Sequence, residues 1–215
     1  CRRPLIELLV LIWFAGFGAG MVNALFPPLV LSFTDTSNLA QVLSAVGVGS
    51  LVGGAVMGAW GGPRRKIQGV LLFAAGFGLS LLCVIPAPSV MLLAVAAGLA
   101  MFCQSIVSSC NQVIWQHKIP PVLQGRVFSL ATTIGFSSMP LAYLVAGPLA
   151  DSFFEPQMKG GVLKQMLGGV FGSGEGRGIA VMLSIVGLMI VVLTVIGWQR
   201  RNIYHIETIL PDMLD

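Results

Sequence analysis

The polar side chains best placed to bind a ligand lie along one apolar stretch of the chain. Four of them follow i, i+4, i+7 and i+11 spacing, which puts them on one face of an α-helix: Gln104, Ser108, Asn111 and Trp115. Uncharged side chains at this spacing either line an aqueous cavity and bind a substrate, or hydrogen-bond neighbouring helices. We take Gln104, Ser108 and Asn111 as candidate substrate-binding residues.

A second polar position occurs in an earlier apolar run. Asn23 lies there at the same helical spacing as Gly16, Gly20 and Pro27. The same two interpretations apply, a cavity lining or a bond between helices. Asn23 is therefore the fourth candidate substrate-binding residue.

Catalytic groups are scarce. The two histidines are His117 and His205, and neither an H-E-x-x-H nor a G-x-S-x-G motif occurs. The apolar runs contain no pair of carboxylates, and the four cysteines form no C-x-x-C pair. These observations argue against an enzyme and predict no metal site and no cofactor.

The composition places the chain in a lipid bilayer. Of its 215 residues, 56% are hydrophobic and 9% are charged, and the mean hydropathy is +0.91. A soluble domain carries about 25% charged residues, because its surface must be solvated. A soluble enzyme, a disordered segment and a nucleic-acid-binding domain are therefore excluded.

The apolar runs predict an all-α membrane protein with six transmembrane helices. A crossing needs about 20 apolar residues, and six runs satisfy this, at about 5–33, 39–60, 67–85, 89–115, 126–151 and 177–198. The polar residues 199–215 form a tail. The external loop 152–176 contains apolar residues at helical spacing between 162 and 171, which predicts a short interfacial helix or a re-entrant lid.

The basic residues are distributed unevenly between the two sides. Six crossings put nine of the 12 Lys and Arg residues on one side, including Arg64, Arg65, Lys66 and Arg126. Lysine and arginine concentrate in cytoplasmic loops of membrane proteins. This side and the tail are therefore predicted to be cytoplasmic, and the four residues to anchor the helices or to latch a cytoplasmic gate.

The second run is rich in glycine. Gly49 and Gly53, and likewise Gly54 and Gly58, are four residues apart. In lipid this spacing lets two helix backbones approach closely. Both pairs are predicted to pack against another helix.

Several motifs resemble a known family. A glycine-rich second helix leads into Trp60-Gly-Gly-Pro-Arg-Arg-Lys66, and these features resemble the carboxy-terminal half of a major facilitator superfamily transporter. The stretch Gln124-Gly-Arg-Val-Phe-Ser129, followed by Pro140-Leu141 and Ala146-Gly-Pro-Leu-Ala-Asp151, is similar to the macrolide-efflux-like branch of drug antiporters. The stretch 59–66 departs from the family in lacking its acidic residue.

The resemblance implies half of a twelve-helix fold, built from two inverted three-helix repeats. The partners it implies are the bilayer, a missing amino-terminal six-helix half and a small-molecule substrate. It further implies proton-coupled efflux of amphipathic or hydrophobic compounds by alternating access, in a bacterial-type inner membrane. The chain begins Cys-Arg-Arg without an initiator methionine, which also predicts a longer protein. The alternative hypothesis is a six-span channel or membrane scaffold that oligomerises.

Overall fold

All regular structure in the described part of the chain is helical. The computed structural model describes residues 3–32, 34–83, 89–118, 121–161, 163–165, 171 and 176–199. Its elements are α1 (Arg3–Leu31), α2 (Thr36–Trp60), α3 (Lys66–Leu82), α4 (Val90–Lys118), α5 (Pro121–Leu149), a π-helical turn (Ala150–Phe154), α6 (Glu155–Gly160) and α7 (Arg177–Gln199). The all-α prediction is confirmed.

Helix length and hydropathy support a membrane location. Within the described residues, four helical stretches are long and apolar enough to cross a bilayer: Thr36–Trp60, Val90–His117, Gln124–Gly160 and Arg177–Gln199. Two further apolar stretches are Gly16–Leu31, which is part of α1, and α3. The chain is an integral membrane protein, while the number of six crossings stays a prediction.

The end of the fifth helix differs from the sequence analysis. Asp151 was taken as the boundary of the span, but the helix continues through the π-helical turn into α6 and ends at Gly160. The Glu155 N–H donates to the Ala150 carbonyl across this turn, and Pro156 lies in the first turn of α6, where a missing N–H is tolerated. The loop that was predicted to begin at residue 152 therefore begins after Gly160.

The rest of that loop is only partly described. Residues 163–165 and Phe171 are helical, and the remainder of the predicted interfacial helix lies outside the described residues. The predicted tail also lies outside them, apart from Gln199 at the end of α7.

The helices pack as two parallel pairs joined by antiparallel contacts. α2 packs along α4 and α1 along α5, while α3 contacts both α4 and α7, and α7 also contacts α1. In the α2–α4 pair, Gly49 lies on Gly98 and Gly53 on Phe102, so both helices run in the same direction. α3 and α7 run in opposite directions, because Gly78 meets Gly187 and Leu71 meets Gly197.

Only one of the two predicted glycine pairs packs against a helix in the described part of the chain. A Cβ on Gly53 would lie 2.8 Å from the Phe102 carbonyl oxygen, and one on Gly49 would overlap the Gly98 backbone. The equivalent positions on Gly54 and Gly58 meet no described atom of another helix within 4 Å. The prediction is confirmed for the first pair, and the second pair lies on an outward face of α2.

The buried core is concentrated toward one end of the bundle. Its largest cluster includes Leu25 and Leu29 of α1, Leu93 of α4, Ala146 of α5 and Leu183 of α7. These residues lie toward the ends of their helices that are remote from the α4–α5 turn. Near that turn the buried clusters are small, and the interior contains a cleft instead.

Candidate functional site

A cleft of about 550 Å³ lies between α4 and the α1–α5 pair. This volume falls within the range of about 300–1,000 Å³ that is typical of small-molecule sites. It extends from the middle of the bundle toward the α4–α5 turn. Its walls are formed by Gly16 and Ala19 of α1; Ala74 and Phe77 of α3; Gln104, Val107, Ser108, Asn111, Gln112 and Trp115 of α4; Phe128, Thr132, Gly135, Phe136 and Met139 of α5; and Ile190 of α7.

The α4 wall carries three of the four candidate substrate-binding residues. Gln104, Ser108 and Asn111 all line the cleft, with Trp115 at its end nearest the α4–α5 turn. Their spacing places them on one helix face, and the buried Ile106 lies on the opposite side of α4. The predicted stripe is therefore one continuous wall.

The polar groups of this wall are open to the cleft. Among the described residues, Gln104, Ser108 and Asn111 have no hydrogen-bond partner, and none of their polar atoms is fully buried. In contrast, the neighbouring Ser109 donates to the Ser105 carbonyl at 2.8 Å. The contacts therefore favour a cavity lining over bonds between helices, while substrate binding by these residues stays a prediction.

The facing α5 wall is mainly apolar. Phe128, Phe136 and Met139 line the cleft, and Phe136 is 64% exposed. The Thr132 hydroxyl bonds back to the Phe128 carbonyl at 2.8 Å and the Ser129 carbonyl at 3.0 Å. The sequence analysis did not select these aromatic residues, although Phe128 and Phe136 lie two helical turns apart.

The structure does not bring Asn23 into the cleft. Its side chain is exposed, and its Nδ2 donates to the Ala19 carbonyl oxygen at 2.8 Å, four residues earlier in α1. Ala19 lines the cleft, whereas Asn23 lies one turn further toward the packed end. A role for Asn23 in binding stays a prediction without support from this geometry.

The four basic candidates lie at two helix boundaries. Arg64 and Arg65 are exposed in the turn between α2 and α3, and Arg126 is exposed near the start of α5. The Lys66 Nζ donates to the carbonyl of Gly61. Gly61 ends α2 with a φ of 71°, a backbone conformation that favours glycine. Lys66 thus joins the end of α2 to the start of α3, and the latch function stays a prediction.

One hydrogen bond joins the two walls of the cleft at their shared turn. Gln124 of α5 donates from Nε2 to the Gln116 carbonyl oxygen of α4 at 3.0 Å. That carbonyl is among the last four of α4, which have no partner within the helix. Gln124 therefore stabilises the end of α4 one residue beyond Trp115.

No cluster of His, Cys, Asp or Glu side chains suitable for a metal ion occurs in the part of the chain that the structure describes. The described residues of the cleft wall also include no ionisable side chain of these types. What the arrangement can do is bind an uncharged group through hydrogen bonds and apolar contacts.

Comparison with known proteins identifies efflux proteins as relatives. Macrolide efflux protein A of Streptococcus pyogenes is 25% identical over 134 residues, which are 60% of this chain and 33% of the relative. Multidrug efflux pump Tap is 26% identical over 136 residues in Mycolicibacterium fortuitum and 30% identical over 135 residues in Mycobacterium tuberculosis H37Rv. Each Tap match covers 61% of this chain and 32% of the relative.

The aligned part is about a third of the length of these curated relatives. No family model matches the chain, and no solved structure matches it. The resemblance to efflux transporters that the motifs predicted is confirmed by the relatives.

Proposed function

We propose that the chain is the carboxy-terminal half of a secondary-active transporter that exports small amphipathic or hydrophobic compounds. The relatives named for macrolide and multidrug efflux support this proposal. Since only a third of their length is matched, the second half of the transport path lies in an amino-terminal six-helix partner. The transporter resides in a bacterial inner membrane, with the basic turns in the cytoplasm, and requires no cofactor.

The helix contacts support two three-helix repeats. The first repeat is α1, α2 and α3, and the second is α4, α5 and α7. When each helix is exchanged for its counterpart in the other repeat, the α1–α5 contact becomes the α4–α2 contact. The same exchange converts the α1–α7 contact into the α4–α3 contact and leaves α3–α7 unchanged. If successive helices cross in alternate directions, the two repeats are inverted, as alternating-access transporters are commonly built.

The observation that carries the proposal is the cleft with its unpartnered amides. Polar groups in lipid normally find a partner, because an unsatisfied group is costly there. Open amides therefore indicate a water-filled or ligand-filled space. The packed core closes the opposite end of the bundle, so this conformer admits substrate from the predicted cytoplasmic side. Rocking of the two halves would then expose the site outside, and proton influx would drive the cycle.

The transport proposal is tested in cells that express the full-length protein. We expect lower accumulation of erythromycin or ethidium than in cells with an empty vector, and loss of the difference when a proton uncoupler is added. Accumulation equal to the vector control would contradict efflux. Uncoupler-insensitive efflux would contradict proton coupling alone, and ion conduction in planar bilayers would favour the channel alternative.

Cysteine accessibility tests the position of the amide wall. In the full-length protein without its native cysteines, Gln104→Cys and Asn111→Cys should react with a water-soluble maleimide added from the cytoplasmic side. The buried Ser138 provides the control, because Ser138→Cys should stay unmodified. Protection of both cleft positions would contradict an aqueous cavity.

A further inference from the structure

The free side-chain hydrogen-bond donors of the cleft lie on one side. Among the described lining residues, the polar side chains without an internal partner all belong to α4, and they are Gln104, Ser108, Asn111, Gln112 and the indole of Trp115. The hydroxyl of Thr132 on the facing wall already donates to its own helix. The α1 residues in the wall, Gly16 and Ala19, have no polar side chain.

The described residues of the cleft wall carry no formal charge. None of its 16 residues is Asp, Glu, Lys, Arg or His. A charged group that displaces the water of the cleft would lose hydration without gaining a counter-ion from these residues, which is unfavourable. Hydroxyl, carbonyl and amide groups of a ligand lose less free energy on entering the cleft, because the carboxamide side chains of the wall both donate and accept hydrogen bonds.

The two walls have matching dimensions. At about 1.5 Å per residue, Gln104 and Ser108 are about 6 Å apart along α4, and Asn111 is about 4.5 Å further. The aromatic wall from Phe128 to Phe136 is about 12 Å long by the same rise. A polar edge and an apolar face therefore lie opposite each other over about 10–12 Å.

We propose that this cleft binds an uncharged ring system, with oxygen or nitrogen substituents along the edge that faces α4 and an apolar face against α5. The inference rests on the transport function proposed above and specifies which part of a substrate this half recognises. Any charge on the substrate lies outside this cleft. Asn111 and Ser108 then determine which substrates bind, because they hydrogen-bond the substituents on the polar edge of the ring system.

The experiment measures equilibrium binding of three tritiated probes to the detergent-solubilised full-length protein. Hydrocortisone and progesterone share a steroid skeleton, but hydrocortisone has hydroxyl groups that progesterone lacks. Tetraphenylphosphonium is a permanent cation without hydrogen-bonding groups. We expect Asn111→Leu to raise the Kd of hydrocortisone about 2- to 10-fold, the value of one neutral hydrogen bond. The Kd of progesterone should rise less, because its two ketone groups only accept hydrogen bonds, and that of tetraphenylphosphonium should stay unchanged.

Two adjacent serines provide a matched control. Ser108→Ala should weaken hydrocortisone binding, whereas Ser109→Ala should not, because Ser109 lies outside the cleft wall and its hydroxyl bonds to Ser105. The conservative Asn111→Gln should retain more of the affinity than Asn111→Leu. This pattern would support the polar edge even if the full-length protein lowers the accumulation of neither erythromycin nor ethidium, in which case the transport proposal alone fails.

Other results would overturn the inference. Equal effects of Asn111→Leu on all three probes would indicate a general loss of structure rather than recognition of a polar edge. Binding of tetraphenylphosphonium alone, or absence of binding by all three probes, would contradict an uncharged two-sided site.

Discussion

The close approach of α2 and α4 predicts that alanine substitutions at the adjacent Gly53 and Gly54 have different effects on stability. In Gly53→Ala the new methyl group would lie 2.8 Å from the Phe102 carbonyl oxygen and 2.9 Å from Cβ of Ser105. Ordinary contact begins at 3.4 Å, so the helices must separate by about 0.6 Å. The opposing atoms include backbone, which cannot turn aside as a long side chain can.

The expected loss of stability follows from this separation of α2 and α4. A gap of about 0.5–1 Å forfeits a quarter to a half of the attraction between the packed atoms along the helix pair. Overpacking of this kind lowers the free energy of unfolding by about 1–3 kcal/mol. In Gly54→Ala the methyl group meets nothing within 4 Å, and replacing glycine in a helix favours the helix by up to about 1 kcal/mol.

Thermal unfolding of the full-length protein in detergent measures this difference. Cys103 and Cys110 are buried, so a thiol-reactive fluorescent dye reports unfolding when they are the only cysteines left. Gly53→Ala should melt at a lower temperature than the parent, and Gly54→Ala at an equal or higher one. A melting temperature of Gly53→Ala equal to or above that of the parent would refute the helix packing described above.

Two further predictions concern the ends of the helices. Cys83 is exposed at the end of α3, so an impermeant maleimide added to intact cells should label it and not Cys110; labelling only after lysis would contradict the predicted orientation. Gln124→Glu removes the donor to the Gln116 carbonyl and should lower stability by about 0.5–1.5 kcal/mol, whereas Gln124→Lys retains a donor and should recover part of it. Equal melting temperatures for these two variants would exclude a role for the bond.

The spacing of apolar and polar residues along the sequence predicted the helices and the polar wall of α4, because both depend on residues close together in the chain. The amides of Gln104 and Asn111 are on one face wherever α4 packs, so their alignment could be read from the sequence. The aromatic wall could not, because Phe128 faces the amides only through the packing of α1 between α5 and α7. The amphipathic signal of a helix surrounded by lipid and protein is also weak.

Two details depended on tertiary structure in the same way. Gly49 and Gly54 lie in identical spacing patterns, but only the face with Gly49 meets α4. Asp151 followed by a serine indicated the end of an apolar span. The structure shows instead that a helix can continue past a polar boundary when a π-helical turn and a proline in the next first turn accommodate the change.

The π-helical turn also affects how α5 and α6 tolerate changes in chain length. A turn closed by an i+5 bond holds one residue more than an α-helical turn. Deleting Ser152 would convert it to an ordinary turn and leave Ala146 and Met158 on their present buried faces. The same single-residue deletion in α4 would rotate everything beyond it by about 100°, turning the amide wall out of the cleft. Insertions and deletions among homologues should therefore collect in residues 150–154 and be absent between Gln104 and Trp115.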